Sequence, residues 1–214
     1  MNGLPKVFLE SGRVVVESFS HCAVRRFWCL GVLTLACVLR FGVADALAQD
    51  AELIALLGAG GHVGLMRHST APGSGDPPEF RLGDCPTQRN LSAAGRAQAA
   101  AVGQRLRSNG ITAARILSSQ WCRCLDTATL LGLGPVEELP SLNSLVSNAR
   151  ESAELTGVTR DWLLEQDLSR PTILITHQVN IAALVRSYPN EGEIVVVRIA
   201  PNVGLEVVGT IGVD

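Results

Sequence analysis

Two arginines and two histidines stand where apolar runs give out. Arg67 and His68 follow Val63-Gly64-Leu65-Met66, Arg123 follows the run Ile111 to Leu117 and the pair Ser118-Ser119, and His177 follows Pro171-Thr172-Ile173-Leu174-Ile175-Thr176. A lone histidine or arginine is usually structural or solvated. Together these four suggest a site for a tetrahedral anion. Guanidinium forks match phosphate oxygens two at a time and stay charged at physiological pH. A neutral imidazole can attack phosphorus and form a phosphohistidine that water later resolves, which splits one hard step into two. The remaining groups would then hold charge on the transferred phosphoryl group.

The elements around these residues alternate. Asp50 to Leu57 has helical spacing at Leu53, Ile54 and Leu57, and a glycine cluster, Gly58 to Gly64, follows. A dinucleotide fingerprint should follow a strand and open a helix; here the order is reversed, so that reading fails and His62 is a turn or surface histidine. Leu65 and Met66 close a short buried strand. Ser92 caps a helix running to about Ser108, with Ala99, Val102 and Leu106 on one face, and Asn109-Gly110 stops it. The spacing predicts a strand within Ile111 to Leu117, a helix from Trp121 to Leu131, an irregular stretch from Glu137 to Asn148, and a helix from Glu151 to Gln166 interrupted by Gly157. A strand at 171–176, a helix from Val179 to Arg186 and a hairpin of Glu193 to Ile199 with Val203 to Val208 complete the chain. This order predicts an α/β three-layer sandwich, with a mainly parallel but mixed central sheet and helices on both faces. In such sheets ligands bind beyond the carboxyl ends of strands, where Arg67, His68, Arg123 and His177 stand.

Between His68 and Asn90 lies a loop of roughly 20 residues, long for a compact domain and therefore a candidate wall or lid of the site. Its polar residues include Asp76, Glu79, Arg81, Asp84 and Arg89; the bland alternative is a solvated surface loop pinned by Cys85.

The 214 residues carry a formal net charge of -2 and only 4% aromatics. No basic stripe with interleaved aromatics occurs, so a nucleic-acid partner is not expected. Arg25 and Arg26 precede an apolar run from Phe27 to Leu39, and Ala46-Leu47-Ala48 has the small-x-small form of a secretory cleavage site. Residues 1–48 therefore read as a signal peptide and 49–214 as one domain, exported or periplasmic. The apolar run of about 13 residues is short of the ~20 a spanning helix needs, and a membrane contact is expected only through the leader if it is retained. Of the cysteines outside the leader, Cys122 and Cys124 flank Arg123 and point to different sides. One of them is expected to meet Cys85 in an oxidising compartment, with Cys85–Cys122 favoured. A zinc site would need paired spacing that is missing.

The sequence resembles the histidine phosphatase superfamily, the phosphoglycerate-mutase-like fold. Leu65-Met66-Arg67-His68 is similar to its Arg-His motif, and Asn90 to Ala99 to its first helix. Ser118 to Ala128, around Arg123, is similar to its second arginine motif, and Ile175-Thr176-His177 to its second histidine motif. The resemblance implies that His68 accepts the phosphoryl group, that Arg67, Arg123 and His177 form the phosphate pocket, and that Thr176 and Gln178 orient the second imidazole, with Gln178 also contacting substrate. It implies no cofactor and no metal.

Three departures mark this chain. Ser69 replaces the usual glycine after the nucleophile, and Gln178-Val179-Asn180 replaces a glycine-rich continuation after His177. A third concerns the acid: the segment Leu139 to Arg150, where many family members carry the carboxyl group that protonates the leaving oxygen, has none. Glu137, Glu138 or Glu151 by a shifted alignment, or Asp76, Glu79 or Asp84 from the loop, are the candidates; otherwise the leaving group needs no strong acid. The expected activity is hydrolysis of a phosphate monoester, metal-independent, on a small-molecule or glycolipid phosphate. A lipopolysaccharide heptose phosphate is the narrower expectation, by analogy with exported relatives. The alternative is a noncatalytic phosphate-ligand or envelope-binding protein that keeps the pocket without turnover.

Overall fold

The computed structural model describes residues 48–145, 149–200 and 204–213, so the expected leader, apart from Ala48, lies outside the described residues. A helix over 48–59, α1, precedes β1 (His62–Arg67), α2 (Ala93–Ser108), β2 (Arg115–Ser118), α3 (Cys122–Leu131) and β3 (Val136–Glu138). There follow α4 (Ala149–Glu165), β4 (Thr172–Thr176), α5 (Gln178–Val185), β5 (Ile194–Ala200) and β6 (Gly204–Ile211). The strands form one sheet in the order β3-β2-β4-β1-β5-β6. The β3-β2, β2-β4 and β4-β1 pairs are parallel, and the β1-β5 and β5-β6 pairs antiparallel. No helix among the described residues is long and apolar enough to cross a membrane.

Alternation along the strands splits the core into two layers. Met66, Ile173, Ile175, Ile194 and Val196 face one way and pack against Leu53, Ile54 and Leu57 of α1, Val102 and Leu106 of α2, and Ala128 and Leu131 of α3. Val63, Leu65, Leu174, Val195 and Val197 face the other way, against Leu163 of α4 and Ile181 and Leu184 of α5. β4 is buried at every position, which is why its sequence is a continuous apolar and β-branched run with no polar alternation. The result is the mixed three-layer sandwich the sequence predicts.

The element boundaries differ in instructive ways. The strand expected from Ile111 begins only at Arg115, because the Ile111 amide returns to the Leu106 carbonyl (3.0 Å) and belongs to the turn that ends α2. The segment read as irregular contains an edge strand, β3, of three residues that are mostly exposed and carry no apolar alternation to announce it. α4 runs through Gly157 without a break, and nothing lies within 4 Å of where a β-carbon would sit there. Ser92 caps α2 as expected, its hydroxyl accepting from the Gly95 amide at 2.9 Å. α3 ends at Gly132 in the left-handed region (φ 62°), a conformation glycine adopts without strain.

Two glycines of α2 set how closely it docks. A β-carbon on Gly95 would stand 2.1 Å from the Thr70 carbonyl oxygen, and one on Gly103 2.0 Å from that of Leu131. Backbone cannot yield as a side chain can. Alanine is favoured over glycine in a helix by about 1 kcal/mol, yet Gly95→Ala and Gly103→Ala should lower stability by about 1–3 kcal/mol through overpacking, whereas Gly157→Ala should raise it slightly. Thermal unfolding of the three variants checks this. A gain in melting temperature for either Gly95→Ala or Gly103→Ala would contradict the packing described.

Candidate active site

The register of three parallel strands assembles the site. Arg67 pairs with Thr176 across β1 and β4, and Ser118 with Ile175 across β2 and β4, so the three carboxyl ends lie level. The ladder continues one residue further on each side: the His68 amide donates to the Thr176 carbonyl (3.0 Å) and the Ser119 amide to the Ile175 carbonyl (2.9 Å). His68 and His177 therefore emerge side by side, their ring centroids 5.6 Å apart and their planes at 67°. Arg123 arrives from the first turn of α3, directly after β2. Backbone N–H groups at the starts of α3 and α5 favour an anion at this edge.

A cleft of about 700 Å³ opens here, lined by Arg67, His68, Arg123, His177 and Gln178 together with the loop from Gly73 to Pro77, Phe80, Arg89 and Trp121. All the site residues expected from the sequence line it, and the long loop forms one wall. The hollow of about 300 Å³ beside Ala114, Gly134 and Arg170 has no imidazole or thiol in its lining.

His68 is 2% exposed. Its Nδ1 lies 2.8 Å from the Ser69 carbonyl oxygen, which can only accept, so the proton sits on Nδ1 and Nε2 keeps its lone pair. Burial pushes its pKa down to about 3; the Ser69 bond pulls the other way, and Arg123, Arg89 and Arg67 add to the lowering. A neutral imidazole with a free Nε2 is the form that attacks phosphorus. His177 is likewise driven well below the ordinary value, by burial first and then by Arg123 and His68. Its Nε2 donates to the Ser119 hydroxyl (3.0 Å), which in turn donates to Asn143 Oδ1 (3.2 Å), and its Nδ1 faces the Arg123 guanidinium at 3.4 Å. Trp121 meets the same ring edge-on, with centroids 5.5 Å apart.

This network corrects two expected roles. Thr176 does not orient the imidazole: its hydroxyl donates to the Leu142 carbonyl at 2.7 Å. Gln178 lines the cleft, but its amide nitrogen donates to the Pro189 carbonyl (3.0 Å) rather than to His177. Ser119, which carried no signal beyond its place in the arginine motif, makes the contact instead. Of the candidate acids, Asp84 is paired with Arg81, Glu137 with Arg115, and Glu138 accepts from Gln120. Asp76 alone among the described carboxylates lines the cleft.

Arg89, which the sequence places only in the loop's polar inventory, is a third guanidinium of the site. Its Nη1 donates to the Ala71 carbonyl and stands 3.8 Å from Glu191, which also lies 3.5 Å from Arg67. Burial and neighbouring Arg123 lower its pKa, but it remains a cation at neutral pH. The Nε atoms of Arg67, Arg89 and Arg123 are all buried without a hydrogen-bond partner. Native structures leave few such donors unpaired, and one on a charged group is costly.

The loop is held in place covalently. Cys85 and Cys122 form a disulfide, as the sequence favours, which ties the loop to the residue before Arg123. Closing a segment with a sequence separation of 37 constrains the unfolded chain by about 4 kcal/mol in the chain-entropy view. Phe80 stacks on Trp121 with ring centroids 4.9 Å apart. Cys124 is free and buried, and burial raises its pKa to about 12, which makes it an inert thiol. Among the described residues no group of three or more His, Cys, Asp or Glu is placed to hold a metal ion.

Residues 64–146 match the family profile of the histidine phosphatase superfamily, branch 1. That match, over the segment that carries β1, α2, β2, α3 and β3, supports a place in that superfamily and phosphatase chemistry as its activity. Solved structures with the same fold include the product of an open reading frame of Mycobacterium tuberculosis, at 18% identity and a TM-score of 0.53 over 68% of this chain and 94% of that one. A mycobacterial glucosyl-3-phosphoglycerate phosphatase matches at 16% identity and a TM-score of 0.51, over 69% and 97% of the two chains. A phosphoserine phosphatase variant of Entamoeba histolytica, in complex with phosphoserine, matches at 12% identity and a TM-score of 0.53, over 72% and 98%. No curated protein sequence matches the chain.

The two buried imidazoles link stability to pH. Between about pH 3 and the ordinary value near 6.5, the unfolded chain binds a proton at His68 that the folded chain excludes. The folded state is therefore fully favoured above about pH 6.5 and loses stability as pH falls, by about 1 kcal/mol per pH unit for each histidine so buried. Unfolding free energies measured by denaturant at pH 7 and pH 5 should fall by about 2 kcal/mol per pH unit for the two histidines together, and replacing both with asparagine should remove most of that fall. A wild-type stability that is flat over this range would contradict the buried, neutral assignment.

Proposed function

We propose that the protein is an exported phosphatase that hydrolyses a phosphate monoester through a phosphohistidine at His68. The observation that carries the reading is the convergence of three guanidiniums, each with a buried unpaired Nε, on a neutral imidazole whose Nε2 is free. In the first half-reaction His68 Nε2 attacks phosphorus, the P–N bond forms and the P–O bond to the leaving group breaks. In the second, water attacks phosphorus and releases phosphate and free His68. Arg67, Arg89 and Arg123 hold the charge that spreads over the phosphoryl oxygens, the kind of fixed electrostatic support that usually contributes most to such catalysis. His177 steadies Arg123 through its Nδ1 and is itself fixed by Ser119.

Export is supported by the secretory pattern of residues 25–48 and by the Cys85–Cys122 disulfide, since such bonds persist in oxidising compartments. The substrate class we propose is a small-molecule or glycolipid phosphate of the envelope, with a sugar phosphate such as a lipopolysaccharide heptose phosphate as the narrower candidate. A cleft of about 700 Å³ with polar and aromatic walls accommodates a group of that size.

Purified protein should release phosphate from p-nitrophenyl phosphate without added metal and undiminished by EDTA. His68→Ala should abolish release, and Arg123→Ala or Arg89→Ala should lower kcat/KM by about 10²–10³, the usual loss for one electrostatic stabiliser. Tight binding of phosphosugars with no turnover above the His68→Ala control, across a panel of monoesters, would favour a noncatalytic phosphate-binding protein instead. Loss of activity in EDTA that returns with a divalent cation would contradict the mechanism.

A further inference from the structure

In the resting site the guanidinium that a phosphoryl group needs already holds an anion. Asp76, from the loop wall, meets Arg123 with both oxygens, Oδ1 at 2.7 Å from Nη1 and Oδ2 at 3.2 Å from Nη2. The pair is deeply placed, the Arg123 side chain being 3% exposed and that of Asp76 13%. Asp76 also accepts from the Trp121 indole N–H (2.9 Å) and the Arg89 amide (3.1 Å). Burial raises its pKa, and these hydrogen bonds, Arg123's first, more than offset that and hold it below the ordinary carboxylate value.

The charge of the cleft shows what a substrate must change. Arg67, Arg89 and Arg123 face Asp76 and Glu191, while His68 and His177 are neutral, which leaves one net positive charge. A monoester dianion placed among them leaves one net negative charge there. It also takes over hydrogen bonds from Arg123 that keep Asp76 ionised. Both effects favour a proton on Asp76, because a like charge nearby and the loss of a cation partner each raise a carboxyl pKa. We propose that Asp76 takes up one proton when the phosphate dianion binds and delivers it to the leaving oxygen, making Asp76 the catalytic acid of this chain.

This rests on the phosphatase reading above and deepens it. As His68 Nε2 bonds to phosphorus, the P–O bond breaks with its electron pair passing to oxygen. The Asp76 proton moves onto that oxygen, and the alcohol departs neutral. The Asp76 carboxylate then accepts a proton from water, whose oxygen attacks phosphorus as the P–N bond breaks and its electron pair returns to His68. Asp76 suits this role by position: it belongs to the loop wall, whereas the nucleophile belongs to the sheet edge. An in-line displacement needs its acid across phosphorus from the nucleophile. Asp76 lies outside the segment after the second arginine motif, and for that reason the sequence shows a gap there.

Two measurements test the assignment. Titration calorimetry with sodium tungstate at pH 7, in two buffers of different ionisation enthalpy, should show about one proton taken up per anion by the wild type and almost none by Asp76→Asn. In kinetics, Asp76→Asn should lower kcat/KM for an alkyl monoester such as glycerol phosphate by about 10²–10⁴, the usual worth of a positioned acid. The same variant should keep kcat/KM for p-nitrophenyl phosphate within a few-fold, because p-nitrophenolate departs without a proton, while its kcat on that ester falls, because the second half-reaction still needs Asp76 as base. Equal losses on both substrates would reduce Asp76 to a brace for Arg123, higher activity on both would make it a brake, and either result, or a wild type that binds tungstate with no proton uptake, would overturn the proposal. A wild type that hydrolyses neither ester would sink the phosphatase reading itself, while the calorimetry would still decide the proton coupling.

Discussion

The structure depends on one constraint, the level parallel register of β1, β4 and β2. Adjacent strands in a sheet lie about 4.8 Å apart, so residues that leave neighbouring strands at the same height must meet. The His68 amide bonded to the Thr176 carbonyl and the Ser119 amide bonded to that of Ile175 fix this height on both sides of β4. A slip of one residue in either pair would turn His68 or Ser119 to the opposite face. Such a slip is opposed by the whole core, because Met66, Ile173 and Ile175 would have to exchange places with Leu65 and Leu174 between the two helical layers. The geometry of a small polar site is thus set by the burial of a large apolar sheet.

On this frame the polar groups are arranged to favour one charge state. The imidazoles are buried and stay neutral, the guanidiniums cannot lose their protons, and the carboxylates are fewer than the cations they face. Burying the Arg123–Asp76 pair is not by itself a source of stability, since desolvation can exceed the Coulombic gain. Its value is better understood as readiness: Arg123 is held in place by a pair of anionic oxygens, the same kind of acceptor that the phosphoryl group presents to it. The disulfide and the Phe80–Trp121 stack hold the loop that carries that partner.

Much of this was legible in the chain. The apolar runs that end at Arg67-His68 and His177 announce buried strands of a parallel sheet, and the place of ligand binding in such sheets does the rest. Ser92 and Asn109-Gly110 act as helix punctuation, and the cysteine pair follows from which of two near neighbours reaches Cys85. What stayed hidden has a common cause: it depends on distances across the fold that no local pattern encodes. Arg89 is one arginine in a polar loop until the chain returns it beside Arg67 and Glu191. Ser119 and Thr176 are both small hydroxyl residues at strand ends, and only the direction of each side chain assigns the His177 contact to Ser119. The short strand β3 lacks apolar alternation because it lies at the sheet edge.

The central claim is covalent transfer to His68 Nε2. Its most direct test is to mix the protein with a radiolabelled phosphate monoester, quench in alkali within a turnover, and map the label by peptide mass spectrometry. The account predicts a phosphoryl group on the peptide containing His68, stable to alkali and lost in acid, and none after His68→Ala. Phosphate release by the wild type with no label on that peptide, or with the label on another residue, would contradict it.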